Sequence, residues 1–136
     1  MGNTLQDWIK NYLKNRDLLK NEILEFSKGE WSDIVVKKIT GDIFIIVSEE
    51  LNEELKFRLR EENIIVVCLN SQKNVEFLIK DWSSFAKFKN LALFFANPNS
   101  KTETKWILYP YTHNFIADEK TLASGIKSMA ENVEWV

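Results

Sequence analysis

Glycine and proline are scarce in this 136-residue chain, four of the first and two of the second, and cysteine and histidine occur once each. Each shortage excludes something. None of the glycines at 2, 29, 41 and 125 falls where an apolar run passes into a helical stretch, so the close backbone approach to a pyrophosphate that a glycine-rich loop provides is missing. One cysteine closes no intramolecular disulfide, and Cys68, inside an apolar run, reads as a small buried hydrophobe of a reducing compartment. Eighteen Lys and Arg against twenty Asp and Glu leave a formal net charge of −2, so no overall positive field drives sequence-independent binding to nucleic acid. The start, Met-Gly-Asn-Thr-Leu-Gln-Asp-Trp, has no basic region followed by an apolar segment, and no uncharged stretch approaches bilayer length. These absences predict a cytoplasmic protein with no membrane partner and no cofactor.

What the chain does have is three apolar runs, Ile43-Phe-Ile-Ile-Val47, Ile64-Ile-Val-Val-Cys-Leu69 and Leu91-Ala-Leu-Phe-Phe-Ala96, alternating with amphipathic stretches. Strands buried on both faces of a parallel sheet read this way. Residues 1–136 therefore predict one α/β domain of three layers, a mixed, mainly parallel five-stranded sheet with helices on its faces, in the order α-β-β-α-β-α-β-β-α.

The spacing of Leu5, Trp8, Ile9, Tyr12, Leu13, Leu19, Ile23 and Phe26 predicts a first helix over 5–27, stopped by Gly29. Its other face carries Lys10, Lys14, Arg16, Lys20 and Lys28, a stripe that suits phosphate or an acidic partner, the plainer alternative being a solvated face. Segments 34–39 and 42–47 flank Thr40-Gly41 and should pair antiparallel. Ser48 precedes Glu49-Glu50 and is placed to cap a second helix over 49–62, with Leu51, Leu55 and Leu59 as its narrow apolar stripe. A strand over 64–69 and a third helix follow; Asn70-Ser71 caps that helix, and its buried face is Val75, Leu78, Ile79, Trp82 and Phe85. The strand over 91–96 ends at Asn97-Pro98, segment 106–109 returns antiparallel, and Asp118 or Thr121 caps a last helix. Crossover rules put the three apolar strands parallel at the centre, with the Ile34 and Trp106 strands at or near the edges.

In open α/β sheets ligands collect beyond the carboxyl ends of the parallel strands. Here those ends present Ser48, Asn70, Ser71 and Asn97, which suit an anion but also serve simply as helix caps and turn residues. Tyr109-Pro110-Tyr111-Thr112-His113-Asn114 gathers two phenols, the only imidazole and an amide where an edge strand over 106–111 enters a loop. His113 oriented by Asp118 would serve as a general base; with Trp106, the aromatics would instead form an interface, or lie buried under the last helix.

Asp33, Asp42, Glu49 and Glu50 bracket the first hairpin, and carboxylates bind Mg²⁺. The helix–hairpin–helix–strand order of residues 5–69 resembles the core of restriction-endonuclease-like nucleases, in which an Asp on one strand and an acid-x-Lys pair on the next hold the metal. That resemblance gives Asp33 the place of the first acid. Val47-Ser48-Glu49 has no lysine two residues beyond an acid, and Glu54 with Lys56 has that spacing only on the expected second helix. A degenerate relative, with Asp33 and Glu49 as the metal ligands, is what the resemblance implies. The order from Asp42 onward is also similar to a thioredoxin-type layout, without its Cys-x-x-Cys pair. Both likenesses concern fold order and carry no function by themselves.

The missing catalytic groups and the five tryptophans predict a non-catalytic protein-interaction or assembly module, binding another protein or itself through Trp106, Tyr109, Tyr111 and His113. The second expectation is a metal-dependent or degenerate nuclease-like protein, meeting nucleic acid through Lys10, Lys14, Arg16 and Lys20.

Overall fold

The computed structural model describes residues 4–116 and 118–136. Six strands cross its sheet in sequence order: β1 (Ile23–Lys28), β2 (Ile34–Lys38), β3 (Gly41–Val47), β4 (Ile64–Leu69), β5 (Leu91–Ala96) and β6 (Lys105–Leu108). The helices are α1 (Thr4–Arg16), α2 (Glu53–Arg58), α3 (Gln72–Lys80), α4 (Trp82–Ala86), α5 (Pro110–Ile116) and α6 (Glu119–Ala130).

The apolar runs form β3, β4 and β5, parallel to one another at the centre, while β1–β2, β2–β3 and β5–β6 are antiparallel. Gly41 turns the β2–β3 hairpin with φ +128°, a conformation that L side chains rarely adopt. Successive side chains of a strand point to opposite faces, so each central strand feeds two cores. Ile46, Val66, Leu93 and Phe95 meet residues of α2, α3, α4 and α6 on one face. Ile45, Ile65, Val67 and Phe94 meet Leu5, Ile9 and Leu13 of α1 on the other. The layers are therefore unequal. Among the described residues one helix shields the second face, and α5 joins the crowded first face through Trp82, whose Nε1 donates to Asn114 Oδ1 at 2.9 Å. No described helix is long and apolar enough to cross a membrane.

The first helix is half as long as its periodicity predicts, and its second half supplies the sixth strand. Asp17 is the cause. Its carboxylate accepts the N–H groups of Glu22 and Ile23, both at 2.8 Å, and its carbonyl accepts that of Asn21, which sits at φ +51°. This folds the chain back before the apolar pattern runs out, and Ile23 and Phe26 fit a strand as well as a helix. Lys20 consequently lies in a turn and Lys28 on a strand, so the basic residues form no single helical stripe. Gly29, expected to stop a helix, sits instead in the β1–β2 connection, where a Cβ would come within 2.5 Å of the Ser32 carbonyl oxygen.

Burial alone would raise the Asp17 pKa, but the Ile23 and Glu22 N–H groups, with Lys38 and Lys20 nearby, hold it below its usual 3.8. A carboxylate with a depressed folded pKa stabilises the protein above the unfolded value and loses that contribution as pH falls through the folded one. Asp17→Ala should accordingly flatten the thermal midpoint's dependence on pH below about 4, as read by circular dichroism. An unchanged acid limb would remove Asp17 from this role.

Other boundaries shift for similar local reasons. The second helix begins at Glu53, because Asn52 rather than Ser48 caps it, accepting Leu55 N–H at 2.9 Å. Leu51, Leu55 and Leu59 are nonetheless all buried, as their spacing predicts. The third helix breaks at Asp81, which lies 3.5 Å from Lys56, and α4 resumes with Trp82; Ile79 is only half-buried. The expected loop after Leu108 is α5, with Pro110 at the first helical position, where a missing N–H costs nothing. Asp118 rather than Thr121 caps α6.

Candidate functional site

The carboxyl rim of the sheet is closed by the chain itself. Asn70, fully buried, donates through Nδ2 to the carbonyls of Ala130 and Val133 at 3.1 Å and accepts Trp106 Nε1 at 2.7 Å. Its own carbonyl accepts Val136 N–H, and Asn97 Nδ2 donates to the Glu134 carbonyl at 3.1 Å. The segment after α6 thus lies where a ligand of an α/β sheet would. Ser71 caps α3 by accepting Asn74 N–H, and Ser48 Oγ donates to the Glu50 carbonyl. Sequence reasoning passed over Asn74, which is fully buried: its Oδ1 accepts Leu51 N–H and its Nδ2 donates to the carbonyls of Glu49 and Leu69, all at 2.8 Å. An amide beside the apolar Val75 on the inner side of a helix is the signal that could have found it.

The aromatic segment is divided between core and surface. Trp106 is buried and stacks on Phe95 with ring centroids 4.4 Å apart. Tyr109 is exposed and Tyr111 half-buried against Phe115. His113 meets the edge of Trp82 at 5.8 Å, while the Asp118 carboxylate accepts Lys120 N–H. Among the described residues no hydrogen bond joins His113 to Asp118. Cys68 is fully buried, and burial pushes its thiol well above the usual range, which leaves no reactive nucleophile there.

Asp33 is drawn toward the frame of the fold. Its Oδ2 accepts Val47 N–H at 2.7 Å and lies 3.4 Å from the Arg58 guanidinium, which also donates to the Trp31 carbonyl. The Glu49 carbonyl, for its part, accepts Leu69 N–H. Among the described residues no group of three or more His, Cys, Asp or Glu side chains is placed to hold a metal ion. On α1, Lys14 lies over Phe26 and Arg16 over Tyr12, each 5.6 Å from the ring centroid.

Two surface features adjoin each other. The turn after α1 leaves Leu18 75% and Leu19 99% exposed, while Leu24 on β1 and Ile39 in the β2–β3 turn are about two-thirds exposed. Ile39 N–H bonds the Glu22 carbonyl at 3.0 Å, so Ile39 lies by the stretch of chain between Leu19 and Leu24, at one corner beside the edge strand β1. Next to that corner, between the last turn of α1 and the amino ends of β3–β5, lies an open cleft of about 350 Å³. No protein-family model, curated protein or solved structure matches this chain.

Proposed function

We propose that the chain is a non-catalytic protein-interaction or assembly module that docks its partner at the corner formed by Leu18, Leu19, Leu24 and Ile39. The observation that carries this reading is the exposure of four aliphatic side chains beside a strand that pairs on one side only. Clustered exposed apolar groups mark interaction sites, and an open strand edge offers backbone N–H and C=O groups to an added strand. Glu25 and Lys28 and the register shift between Ile23 and Glu25 are features that keep such an edge from pairing indiscriminately. The reading moves the interface away from Trp106, whose ring is committed to the core.

The test is a Leu19→Ser, Leu24→Ser double variant, compared with the parent by light scattering after native purification from its host. The parent should carry a protein companion or self-associate, and the variant should lose at least about tenfold in affinity. Its stability should stay within about 0.5 kcal/mol, because both side chains are exposed. A parent that purifies alone as a monomer, or a variant that binds unchanged, would overturn the proposal.

A further inference from the structure

The cleft beside α1 carries a separate inference, which stands whether or not the Leu19 corner docks a protein. It exists because, among the described residues, α1 is the only helix on its face, and it ends at Arg16, short of the amino ends of β4 and β5. Its floor is apolar, with Ile23 and Ile43 the half-buried contributors, and one end is cationic, with Arg16 and Lys20.

The charges at that end are unevenly committed. Lys38 pairs with Glu22 at 3.6 Å, and the Asp17 carboxylate accepts the Glu22 and Ile23 N–H groups while keeping its negative charge near Lys38 and Lys20. Arg16 and Lys20 form no ion pair among the described residues, and the Arg16 guanidinium lies 5.6 Å from the Tyr12 ring centroid. Asp42, the other carboxylate of the lining, lies on β3 beside Gly41.

Apolar walls with a few polar groups at the rim and a volume near the lower bound for ligand sites describe a place for a small molecule rather than a folded partner. From this we infer that the cleft binds a small organic carboxylate with an apolar body. The carboxylate meets Arg16 and Lys20, and the body lies on Ile23 and Ile43. Arginine suits this role because its planar fork matches a carboxylate with two parallel hydrogen bonds.

The experiment is a titration of the isotopically labelled full chain with 3-phenylpropionate and, separately, with its uncharged amide, followed by amide shifts in nuclear magnetic resonance. Saturable shifts confined to Arg16, Lys20, Ile43, Ile65 and their neighbours are expected. The amide should bind at least about tenfold more weakly, since it forfeits a charge-assisted contact. An Arg16→Gln, Lys20→Gln double variant should lose a similar factor while keeping the parent's thermal midpoint. Equal binding of acid and amide, shifts elsewhere on the surface, linear shifts without saturation, or full affinity in the double variant would each overturn the assignment.

Discussion

Asn70→Ala is expected to lower the unfolding free energy by about 4 kcal/mol and the thermal midpoint by roughly 15 °C. Three buried polar partners lose their bonds at once: the indole N–H of Trp106 and the carbonyls of Ala130 and Val133. Leaving such groups unpaired costs about 1–3 kcal/mol each, and they share one site, so the total falls below the sum. Trp106→Phe separates the contributions, because it removes a single donor and should cost about 1–2 kcal/mol. Removing residues 133–136 in the Asn70→Ala background should add less than the same truncation does in the parent, since both delete one network. Urea denaturation reports all of these free energies. A loss under about 1.5 kcal/mol for Asn70→Ala would mean that water takes over the amide's bonds.

Phe95→Ala should be comparably severe, at about 4 kcal/mol, for a different reason. Phe95 is fully buried on β5, paired with Cys68 across the parallel ladder and stacked on Trp106 with an interplanar angle of 13°. The alanine leaves a cavity between a sheet and a helix layer that are both pinned by other contacts, so little collapse can fill it. Phe95→Leu should cost only about 1–1.5 kcal/mol. Phe57, an equally large ring that is 85% exposed on α2, is the control: Phe57→Ala should change stability by no more than about 0.5 kcal/mol. A mild Phe95→Ala, or a costly Phe57→Ala, would contradict this placement of the core.

The centre of the fold was readable because its signals are continuous. Runs of Ile, Val, Leu and Phe with no charge leave nowhere but a doubly covered strand, and β4 and β5 coincide with the expected ranges. The periphery was less readable because its signals are single side chains reaching backwards. Asp17 ends a helix whose apolar spacing continues past it, and Asn52 takes the cap that Ser48 was placed to take. Pro110 opens a helix that looks like a turn on composition alone.

Among the site residues, sequence located Asn70, Ser71 and Asn97 at the strand ends but could not show that the segment after α6 would occupy the amides of Asn70 and Asn97 while Ser71 serves only as a helix cap. The exposed corner was hidden for the same reason as β1. Leu19 counts toward a helix stripe until Asp17 turns the chain, after which it faces water.

Strand order that follows chain order has a consequence for how the molecule assembles. Each strand pairs with its neighbour in sequence, so no closure within the sheet has to bridge a distant partner, and the entropic cost of each pairing stays small. The bonds from Asn70 to Ala130 and Val133 reach further, spanning 60 and 63 residues. Bonds of that span are expected to close after the sheet has formed, so Asn70→Ala should speed unfolding far more than it slows folding, as read from the two arms of a urea chevron.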